Sequence, residues 1–455
     1  MQHVGRMAQG LIFDSEELSL KEALDRSKLI VDEKVGLIKS LTKNAFYTDE
    51  PKFYQYTAQL CDVGLFSDVH THDKFVGGAS LIEEYAMMKT IGEAVERYCL
   101  SIYKKYNLFY ESYENIKNIA LNPCEVVSFS KQQFGLPEFK NFKLDNNSKL
   151  YWTIGYSIFR KKYIFVPAQL VYVPYKFENE KIIRFPITTG AASGSSLAGA
   201  LFRGICEVVE RDAFMINYLN QLSGKLVDTA AFNNDAINKM MEEYKNYNIE
   251  TCVFDITTDT NIPTMMCILI DRSGEGPAVS VGLKCHLNPR EAIIGCLEEA
   301  QPARPWIRSM MLKGEHNLKN VKKQMKTIST VEERGILWSD RDMVKHLNFL
   351  FKKRKFVRIK NHTTYLGKSI IENLKILLNT LQNKVSDIIF VDVTTADIRK
   401  LGFKVVKLII PNLQPLYLDE RYRYLGGGRL YKVPQIMGYG KGSKNMLNDI
   451  PHPFL

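Results

Sequence analysis

Hydrophobic positions along the chain recur at two spacings, about 3.6 residues in some segments and 2 in others, so the sequence predicts a mixed α/β (α+β) fold. The helical segments are 19–43, 81–104, 197–219, a segment that begins near 289, and 397–401. The strand-like segments are one that runs through 56 and 60, then 151–158, 163–167, 252–256, 265–270, 388–393 and 405–411. A polar, lysine-rich stretch, 312–335, is expected to be a loop or an excursion from the fold.

Two of the predicted helices contain the same short phrase, which is the most informative pattern in the chain. One reads G-E-A-V-E-R-Y and the other C-E-V-V-E-R-D. In each, two carboxylates lie three residues apart, and residues at that spacing share one face of a helix. The carboxylates are those of Glu93, Glu96, Glu207 and Glu210, and the arginines that follow are Arg97 and Arg211. Four carboxylates that face one another need a bound cation, and Mg²⁺ carrying phosphates fits because hard cations prefer oxygen ligands.

Local Glu–Arg pairs on two exposed helix faces are the alternative interpretation, since such pairs are common and contribute little. The apolar neighbours of the carboxylates, such as Ile91, Val95 and Ile205, leave little room for a wide polar face, and this favours the metal–nucleotide hypothesis.

The segment 190–196, which reads G-A-A-S-G-S-S, precedes the second carboxylate helix. Small residues allow backbone N–H groups to approach a phosphate, and the N-terminus of a helix adds partial positive charge. The segment is neither a Walker A motif nor G-x-G-x-x-G, so an ordinary capped turn is an equal alternative. Its position directly before Glu207 and Glu210 favours a phosphate contact.

Composition narrows the class of protein. The chain has 455 residues, 45% of them hydrophobic, which is typical of globular proteins with one large or two to three smaller domains. The net charge is +11, but the lysines are spread along the chain, so a solvated basic surface is favoured over nucleic-acid binding. Eight cysteines without a C-x-x-C motif predict reduced core thiols of a cytoplasmic protein. We expect no signal peptide and no membrane span.

Two further segments contain residues that bind metals or phosphates in other proteins, but each also has an ordinary structural interpretation. The segment 68–73, D-V-H-T-H-D, has the H-x-H spacing of a metal site, but a solvated loop is the preferred interpretation. Three glycines, 426–428, precede Arg429 and predict a hairpin or a lid hinge, with a phosphate contact by Arg429 as the minor alternative. The sequence contains no recognisable Ser-His-Asp or Cys-His nucleophile motif.

Several phrases, taken together, resemble the YcaO-domain family over 31–455, nearly the whole chain. Besides the two carboxylate phrases they are G-G-A at 77–79, S-G-S-S at 193–196, F-D-I-T-T-D at 254–259, E-E-A-Q-P-A-R at 298–304, V-T-T-A-D-I at 393–398 and P-N-L-Q-P-L at 411–416. The C-terminal tail, P-H-P-F-L at 451–455, resembles one branch of that family. This branch comprises the ATP-dependent, azoline-forming cyclodehydratases (D proteins) of thiazole/oxazole-modified peptide pathways.

The resemblance implies a YcaO-like fold in which β-sheets flanked by helices hold ATP in a cleft between the acidic helices. Residues 1–73 would form an N-terminal segment of helix and strand, and residues 74–455 the ATP-binding catalytic domain. Mg²⁺ would be held by five carboxylates: Glu93, Glu96, Glu207, Glu210 and Glu298. ATP would be contacted by Lys89, Arg97, Gly194, Ser195, Arg211 and Gln301. Arg304 would act in catalysis, although it trails the E-x-x-Q motif one position later than the family pattern.

The chain departs from the family pattern at two positions. Lys89 lies four residues before the first glutamate, where a serine is usual, and we expect the lysine to pair with a phosphate or with Glu93. Gly199 precedes Ala200 at a position where a second polar or acidic residue is usual. Both departures imply a smaller metal shell than that of relatives.

The implied reaction is ATP-driven activation of a peptide backbone amide. A Cys, Ser or Thr side chain of a ribosomal precursor peptide attacks the preceding carbonyl, ATP phosphorylates the resulting oxyanion, and phosphate leaves as a thiazoline or oxazoline forms. A proline-spaced tail is stiff and extended. It would therefore place either the terminal carboxylate of Leu455 or the imidazole of His452 at the amide as a base. A frayed terminus is the alternative.

Two rival functions stay open. One is a thioamide-forming member of the same family, which uses external sulfide as the nucleophile, and the other is a nucleotide-binding accessory protein without chemistry of its own. The implied partners are the precursor peptide and a separate leader-peptide-recognising protein related to ubiquitin-activating (E1-like) enzymes. A flavin-dependent azoline dehydrogenase and a second copy of the chain are further candidates.

Overall fold

The helices and strands of the protein come from a computed structural model, which describes residues 17–71, 74–145, 147–352, 356–357, 366–440 and 447–455. The helices are α1 (Leu20–Ser27), α2 (Glu83–Leu100), α3 (Tyr113–Ile116), α4 (Leu197–Leu219), α5 (Asp235–Asn246), α6 (Pro289–Glu299), α7 (Ala303–Lys313), α8 (Leu318–Lys323), α9 (Val331–Trp338), α10 (Ile370–Leu381), α11 (Ala396–Lys400) and α12 (Gly428–Ile436). The strands are β1 (Ile38–Lys43), β2 (Tyr54–Leu60), β3 (Phe75–Ser80), β4 (Phe109–Ser112), β5 (Lys149–Ser157), β6 (Lys162–Pro167), β7 (Ala191–Gly194), β8 (Lys225–Val227), β9 (Glu250–Asp255), β10 (Thr264–Ile270), β11 (Val279–Cys285), β12 (Phe356–Val357), β13 (Ile389–Asp392) and β14 (Lys404–Ile409).

The described strands form three sheets, and helices pack against them, so the mixed α/β prediction is confirmed. One sheet has the order β1-β2-β3, a second β11-β10-β9-β8-β12, and the third β4-β5-β13-β14-β7 with β6 added beside β5. The paired strands are antiparallel apart from β8 and β12. The predicted hairpin is confirmed as β5 and β6, whose register places Trp152 opposite Pro167.

Helix α4 is the central element of the fold. Its bounds agree with the predicted segment 197–219, and the Ser196 side chain caps its N-terminus by accepting a hydrogen bond from the Gly199 N–H. The helix is buried along nearly its whole length and packs against β7, β14, β11 and α10. Because α2 packs against β7 and β14 as well, the two carboxylate helices lie against the same strands.

Tertiary contacts override the local pattern in four segments. The predicted helix 19–43 is wrong beyond α1, because 38–43 pairs with β2 as strand β1. The predicted loop 312–335 is wrong, because α8 and α9 bury Val321, Ile336 and Leu337 in the core. The helix predicted from 289 ends at Glu299, and Pro302 separates it from α7. The predicted turn before α4 is strand β7 over much of its length, because it pairs with β14.

No helix among the described residues is long and apolar enough to cross a membrane.

Candidate active site

The carboxylates of α2 and α4 converge on the backbone of one short segment, 190–193. Glu96 Oε1 accepts a hydrogen bond from the Ser193 N–H at 2.7 Å, and Glu207 Oε2 accepts one from the Gly190 N–H at 3.0 Å. A side chain at Gly190 would meet the Leu408 carbonyl, and its positive φ of 85° is a conformation that glycine adopts without strain. This segment therefore holds one carboxylate of each helix at a defined place.

Glu210 and Arg211 form the buried end of the acidic cluster. Glu210 Oε2 accepts a hydrogen bond from the Cys285 N–H at 2.7 Å, and its other oxygen contacts Arg211 Nη1. Arg211 Nη2 also reaches Glu207 at 3.4 Å and Glu299 at 3.9 Å. Lys284 of β11 interacts with the same three carboxylates, so two cations compensate three carboxylates and leave the cluster with an excess of negative charge.

That excess is visible in the ionisation of the carboxylates. Burial raises the pKa of Glu96 to about 7, and the charge of Glu207 adds to the rise while the Ser193 N–H opposes it. Burial also raises the pKa of Glu210 to about 7, with Arg211 opposing the rise and Glu299 adding to it. A bound divalent cation would stabilise the ionised forms of these groups, so the donor set fits Mg²⁺. The described residues contain no preformed group of three metal-binding side chains, so the magnesium site of five carboxylates stays a prediction.

The other two predicted metal ligands, Glu93 and Glu298, are each paired with a cation. Glu93 pairs with Arg97, with 3.0 Å between Oε1 and Nη2. Glu298 accepts hydrogen bonds from the Ser80 hydroxyl at 2.6 Å and from the Lys89 ammonium at 2.5 Å. Lys89 therefore pairs with a carboxylate of α6 and not with Glu93 in this structure.

Gln301 lies between α6 and α7 and is almost completely buried, with 1% of its surface exposed. Its Nε2 donates to the Pro51 carbonyl at 3.5 Å, whereas its Oε1 has no hydrogen-bond partner in the described part of the chain. A buried, unpaired amide oxygen is costly unless a ligand or an ordered water satisfies it, which agrees with a position at a ligand site.

The glycine–serine segment is built differently from the predicted open turn. The Ser195 hydroxyl accepts a hydrogen bond from the Leu18 N–H at 3.0 Å, so the N-terminal segment lies against it. Gly194 belongs to β7, and a side chain there would lie 2.4 Å from the Arg203 guanidinium and 2.9 Å from the Ala200 nitrogen. Glycine is required here by close packing, and Ser195 contacts the protein itself.

Arg304 lies in a buried ion-pair cluster and not among the acidic-helix carboxylates. Its guanidinium binds Glu50 through Nε and Nη2, at 2.9 and 3.1 Å, and Asp271 through Nη2 at 2.8 Å. All three side chains are buried. In this arrangement the donors that would contact a substrate are already engaged, so the structure indicates that Arg304 joins α7 to two distant loops.

Replacing Arg304 with methionine is expected to lower the free energy of unfolding by about 3–5 kcal/mol, because Glu50 and Asp271 would stay buried without a counter-charge. Urea denaturation measures this loss. The matched control is Arg272→Met, which removes a pair with Glu250 on the surface and is expected to cost at most about 1 kcal/mol. Lost activity with unchanged stability in the Arg304 variant would instead support a catalytic role.

The C-terminal tail is part of the core, so the frayed terminus is excluded. The Pro451 carbonyl accepts hydrogen bonds from the Tyr218 hydroxyl and from Trp338 Nε1, both at 3.0 Å. Arg334 Nη1 donates to the His452 carbonyl at 3.0 Å. The Phe454 ring lies 4.3 Å from the Arg211 guanidinium carbon, which brings the tail to the acidic cluster.

His452 itself is fully buried and does not face the cluster. Its Nε2 donates a hydrogen bond to the Tyr417 carbonyl at 2.8 Å, and burial holds its pKa well below the usual value. Leu455 is partly buried against the same core as Phe454, with its side chain near Gly335. The tail residue in contact with the candidate site is therefore Phe454, which the sequence did not single out.

Two histidines make the stability depend on pH. Burial lowers the pKa of His286 from 6.5 to about 4, and burial also lowers the pKa of His452 well below its usual value. Below pH 6.5 the unfolded chain takes up protons at these positions and the folded chain does not. Each histidine therefore contributes a fall in the free energy of unfolding below pH 6.5, of up to about 1.4 kcal/mol per pH unit. Glu96 and Glu210, whose pKa values are raised to about 7, contribute in the opposite direction between pH 7 and pH 4.5, because there the folded chain holds protons that the unfolded chain has lost.

Urea denaturation at several pH values measures this slope. His452→Gln, whose amide can still donate to Tyr417, is expected to remove the contribution of one histidine, up to about 1.4 kcal/mol per pH unit below pH 6.5, because that group no longer titrates. His70→Asn is the control, because 80% of that side chain is exposed. An unchanged slope in the His452 variant would contradict the prediction.

One charged side chain near the site, that of Lys407, was not predicted from the sequence. Lys407 of β14 is 2% exposed and donates to the Thr189 carbonyl at 2.6 Å and the Ile187 carbonyl at 2.5 Å, which fixes the backbone just before Gly190. Burial lowers the pKa of Lys407 to about 7, while the carboxylate of Glu207 opposes this shift. A lysine inside an otherwise apolar strand was the available signal.

Arg429 is held by two carboxylates. It binds Asp212 of α4 and Asp259 in the loop after β9, each at 2.7 Å from Nη2. The phosphate contact considered for Arg429 would require these pairs to break. In the H-x-H segment, His70 pairs with Asp62 at 2.9 Å, whereas His72 and Asp73 lie outside the described residues.

Known proteins resemble this chain both in sequence and in fold. An uncharacterised protein of Methanothermobacter thermautotrophicus is 26% identical over 280 residues, which are 60% of this chain and 68% of that protein. A heterocyclase solved in complex with substrate and cofactor superposes with a TM-score of 0.81 at 20% identity. That match covers 100% of this chain and 60% of the heterocyclase, so the chain spans about three fifths of its length.

Two further structures share the fold. YcaO from Methanopyrus kandleri, bound with AMPPCP and Mg²⁺, has a TM-score of 0.64 at 14% identity and covers 90% of this chain and 95% of that one. A chain of the E. coli microcin synthetase McbBCD complex has a TM-score of 0.57 at 13% identity, with 90% and 96% covered. Residues 77–414 match the family described as YcaO cyclodehydratase, ATP- and Mg²⁺-binding. The chain therefore belongs to the YcaO cyclodehydratase family, whose members bind ATP and Mg²⁺.

Proposed function

We propose that this chain is an ATP-dependent cyclodehydratase that forms thiazoline or oxazoline rings from Cys, Ser or Thr residues of a ribosomal precursor peptide. The observation that carries the proposal is the contact between the tail and the acidic cluster, where Phe454 stacks on Arg211. In this arrangement one arginine contacts the carboxylates of α4 and the C-terminal tail at once.

In the proposed mechanism the nucleophile belongs to the substrate, which agrees with the lack of a nucleophile motif in the sequence. Bound ATP supplies the phosphoryl group that makes the amide oxygen a good leaving group, and Mg²⁺ offsets the phosphate charge. Glu96, Glu207 and Glu210 would hold the metal, with their orientation set by backbone N–H groups. Arg211 would orient Glu207 and Glu210 by binding to both.

The tail has a positioning role in this proposal. Its carbonyls are bound by Tyr218, Trp338 and Arg334, so its path is set before substrate arrives. A preorganised wall beside the phosphates would exclude water and favour transfer to the amide oxygen over hydrolysis of ATP. Since His452 is engaged with Tyr417, proton removal at the amide is proposed for the terminal carboxylate of Leu455 or for water.

We also propose the partners that the family implies. Chains of this fold occur in a heterocyclase complex with substrate and in the microcin synthetase McbBCD complex, which supports a peptide substrate and partner proteins. A leader-peptide-recognising E1-like protein, a flavin-dependent dehydrogenase and a second copy of the chain are the proposed partners. The cytoplasm is the proposed compartment, where free thiols such as the eight cysteines here stay reduced.

Mass spectrometry of a precursor peptide tests the function. The peptide encoded beside this gene would be incubated with this protein, its neighbouring partner proteins, ATP and Mg²⁺. We expect the loss of one water per modified residue, and only when ATP is present. An oxygen-to-sulfur mass change that requires added sulfide would assign the protein to thioamide formation. Bound ATP without a mass change would support an accessory role.

A further inference from the structure

Glu298 is held by a lysine and a serine hydroxyl, whereas the other acidic residues around the candidate site are held by arginines or backbone N–H groups. Its Oε2 accepts a hydrogen bond from the Lys89 ammonium at 2.5 Å, and its Oε1 accepts one from the Ser80 hydroxyl at 2.6 Å. Only 14% of the Glu298 side chain is exposed, whereas 45% of the Lys89 side chain is, so the carboxylate is shielded and the lysine reaches it from the solvent side. By contrast, Glu96 is bound by a backbone N–H group, which brings no full positive charge, and Glu207 is bound by a backbone N–H group at 3.0 Å with Arg211 farther away, at 3.4 Å.

Lys89 is held in place from two sides. Besides Glu298, its ammonium donates to the Ala79 carbonyl at 3.2 Å. Its stem passes close to β3 at Gly78, where an added side-chain carbon would lie 2.8 Å from the Lys89 Cβ and 2.9 Å from the Thr90 nitrogen. The lack of a side chain at Gly78 therefore lets α2 approach β3, and the lysine reaches α6 from there.

We propose that the Lys89 ammonium acts as a built-in cation at Glu298, in the place where a magnesium ion would otherwise bind. Glu298 is then not a magnesium ligand in this chain, and the acidic cluster binds one divalent cation fewer than its carboxylates would allow. The inference rests on the proposed function, because it concerns the metal ions that accompany ATP.

The physical reason is competition for one carboxylate. An ammonium group and a divalent cation on the same carboxylate repel each other and use the same lone pairs. The lysine is tethered by its own chain, so it is present at any magnesium concentration, whereas a free ion must give up water to bind. Lysine suits this role because it is a compact point charge on a flexible stem.

Counting bound metal ions tests the proposal directly. Mn²⁺ would replace Mg²⁺, with a non-hydrolysable ATP analogue, and the number of bound ions would be measured by electron paramagnetic resonance and by calorimetry. We expect Glu298→Gln to bind as many Mn²⁺ ions as the unmodified protein, and Lys89→Ser to bind one more. The double variant should return to the unmodified number, since the site opened by the first change is closed by the second.

The opposite results would overturn the proposal. Loss of an ion in Glu298→Gln would make Glu298 a metal ligand despite Lys89, and an unchanged number in Lys89→Ser would mean that the lysine displaces no ion. Lys104→Ser is the matched control, because Lys104 forms a comparable pair with Asp68 beyond the end of α2 at 3.2 Å. The Glu96→Gln variant distinguishes a failure of the Lys89 proposal from a failure of the proposed function. If that variant also keeps every ion, the metal site of the proposed function fails, independently of Lys89.

Discussion

The Glu96→Gln variant is expected to lose ATP-dependent modification of the peptide by at least about 100-fold while the protein stays folded. Glutamine retains an oxygen that can accept the hydrogen bond from the Ser193 N–H, so the backbone contact and the shape persist. The charge that would hold Mg²⁺ between α2 and α4 is removed, and phosphoryl transfer depends on that charge.

The measurement is the rate of water loss from the peptide, followed by mass spectrometry, beside a thermal unfolding curve. Glu83→Gln is the matched control, because Glu83 lies in the first turn of the same helix and contacts Tyr56 and Lys43. We expect that control to retain its activity. Normal turnover in the Glu96 variant would remove Glu96 from the metal site.

The Phe454→Ala variant is expected to lose both stability and cyclisation. Phe454 is 4% exposed and packs on Phe214, with 5.7 Å between ring centroids, so truncation leaves a cavity that costs about 3–5 kcal/mol. It also removes the ring from Arg211, which then loses one of the contacts that orient it toward Glu207 and Glu210.

Separating the two effects requires measurements well below the unfolding temperature. There we expect cyclisation to slow far more than ATP binding weakens, because the carboxylates are untouched. Phe454→Leu is the matched control, since it keeps most of the buried volume but not the aromatic face over Arg211. Full activity in both folded variants would assign the tail to stability alone.

Deletion of residues 451–455 is also expected to slow cyclisation far more than it weakens ATP binding. Its loss of stability should be larger, because the contacts of Tyr218, Trp338 and Arg334 are removed as well.

The hydrophobic pattern predicted secondary structure correctly where the tertiary contacts of a segment favour the same conformation as its own residues. Helix α4 begins and ends where the apolar spacing indicated, and the β5–β6 hairpin follows its alternating residues. The pattern was a poor guide in 38–43, where pairing with β2 decides the conformation, and in 318–338, where burial against the main core does. Both outcomes depend on residues distant in the sequence.

The candidate site shows the same division. Helical spacing alone places Glu207 and Glu210 on one face of α4. The recurrence of the carboxylate phrase predicted that Glu96 lies near them, and the packing of α2 and α4 on the same strands brings this about. The roles expected for Arg304 and His452 depended on contacts that no local pattern contains. Arg304 is enclosed by Glu50 and Asp271, and the His452 imidazole is held by the Tyr417 carbonyl.

The sequence by itself therefore determined the family, the two acidic helices and the residues available for a metal–nucleotide site. Only the tertiary structure decided which charges compensate one another: Lys89 with Glu298, Arg211 with Glu207 and Glu210, and Phe454 over Arg211. The physical reason is that helical spacing acts over a few residues, whereas charge pairing acts over a few ångströms between segments far apart in the chain.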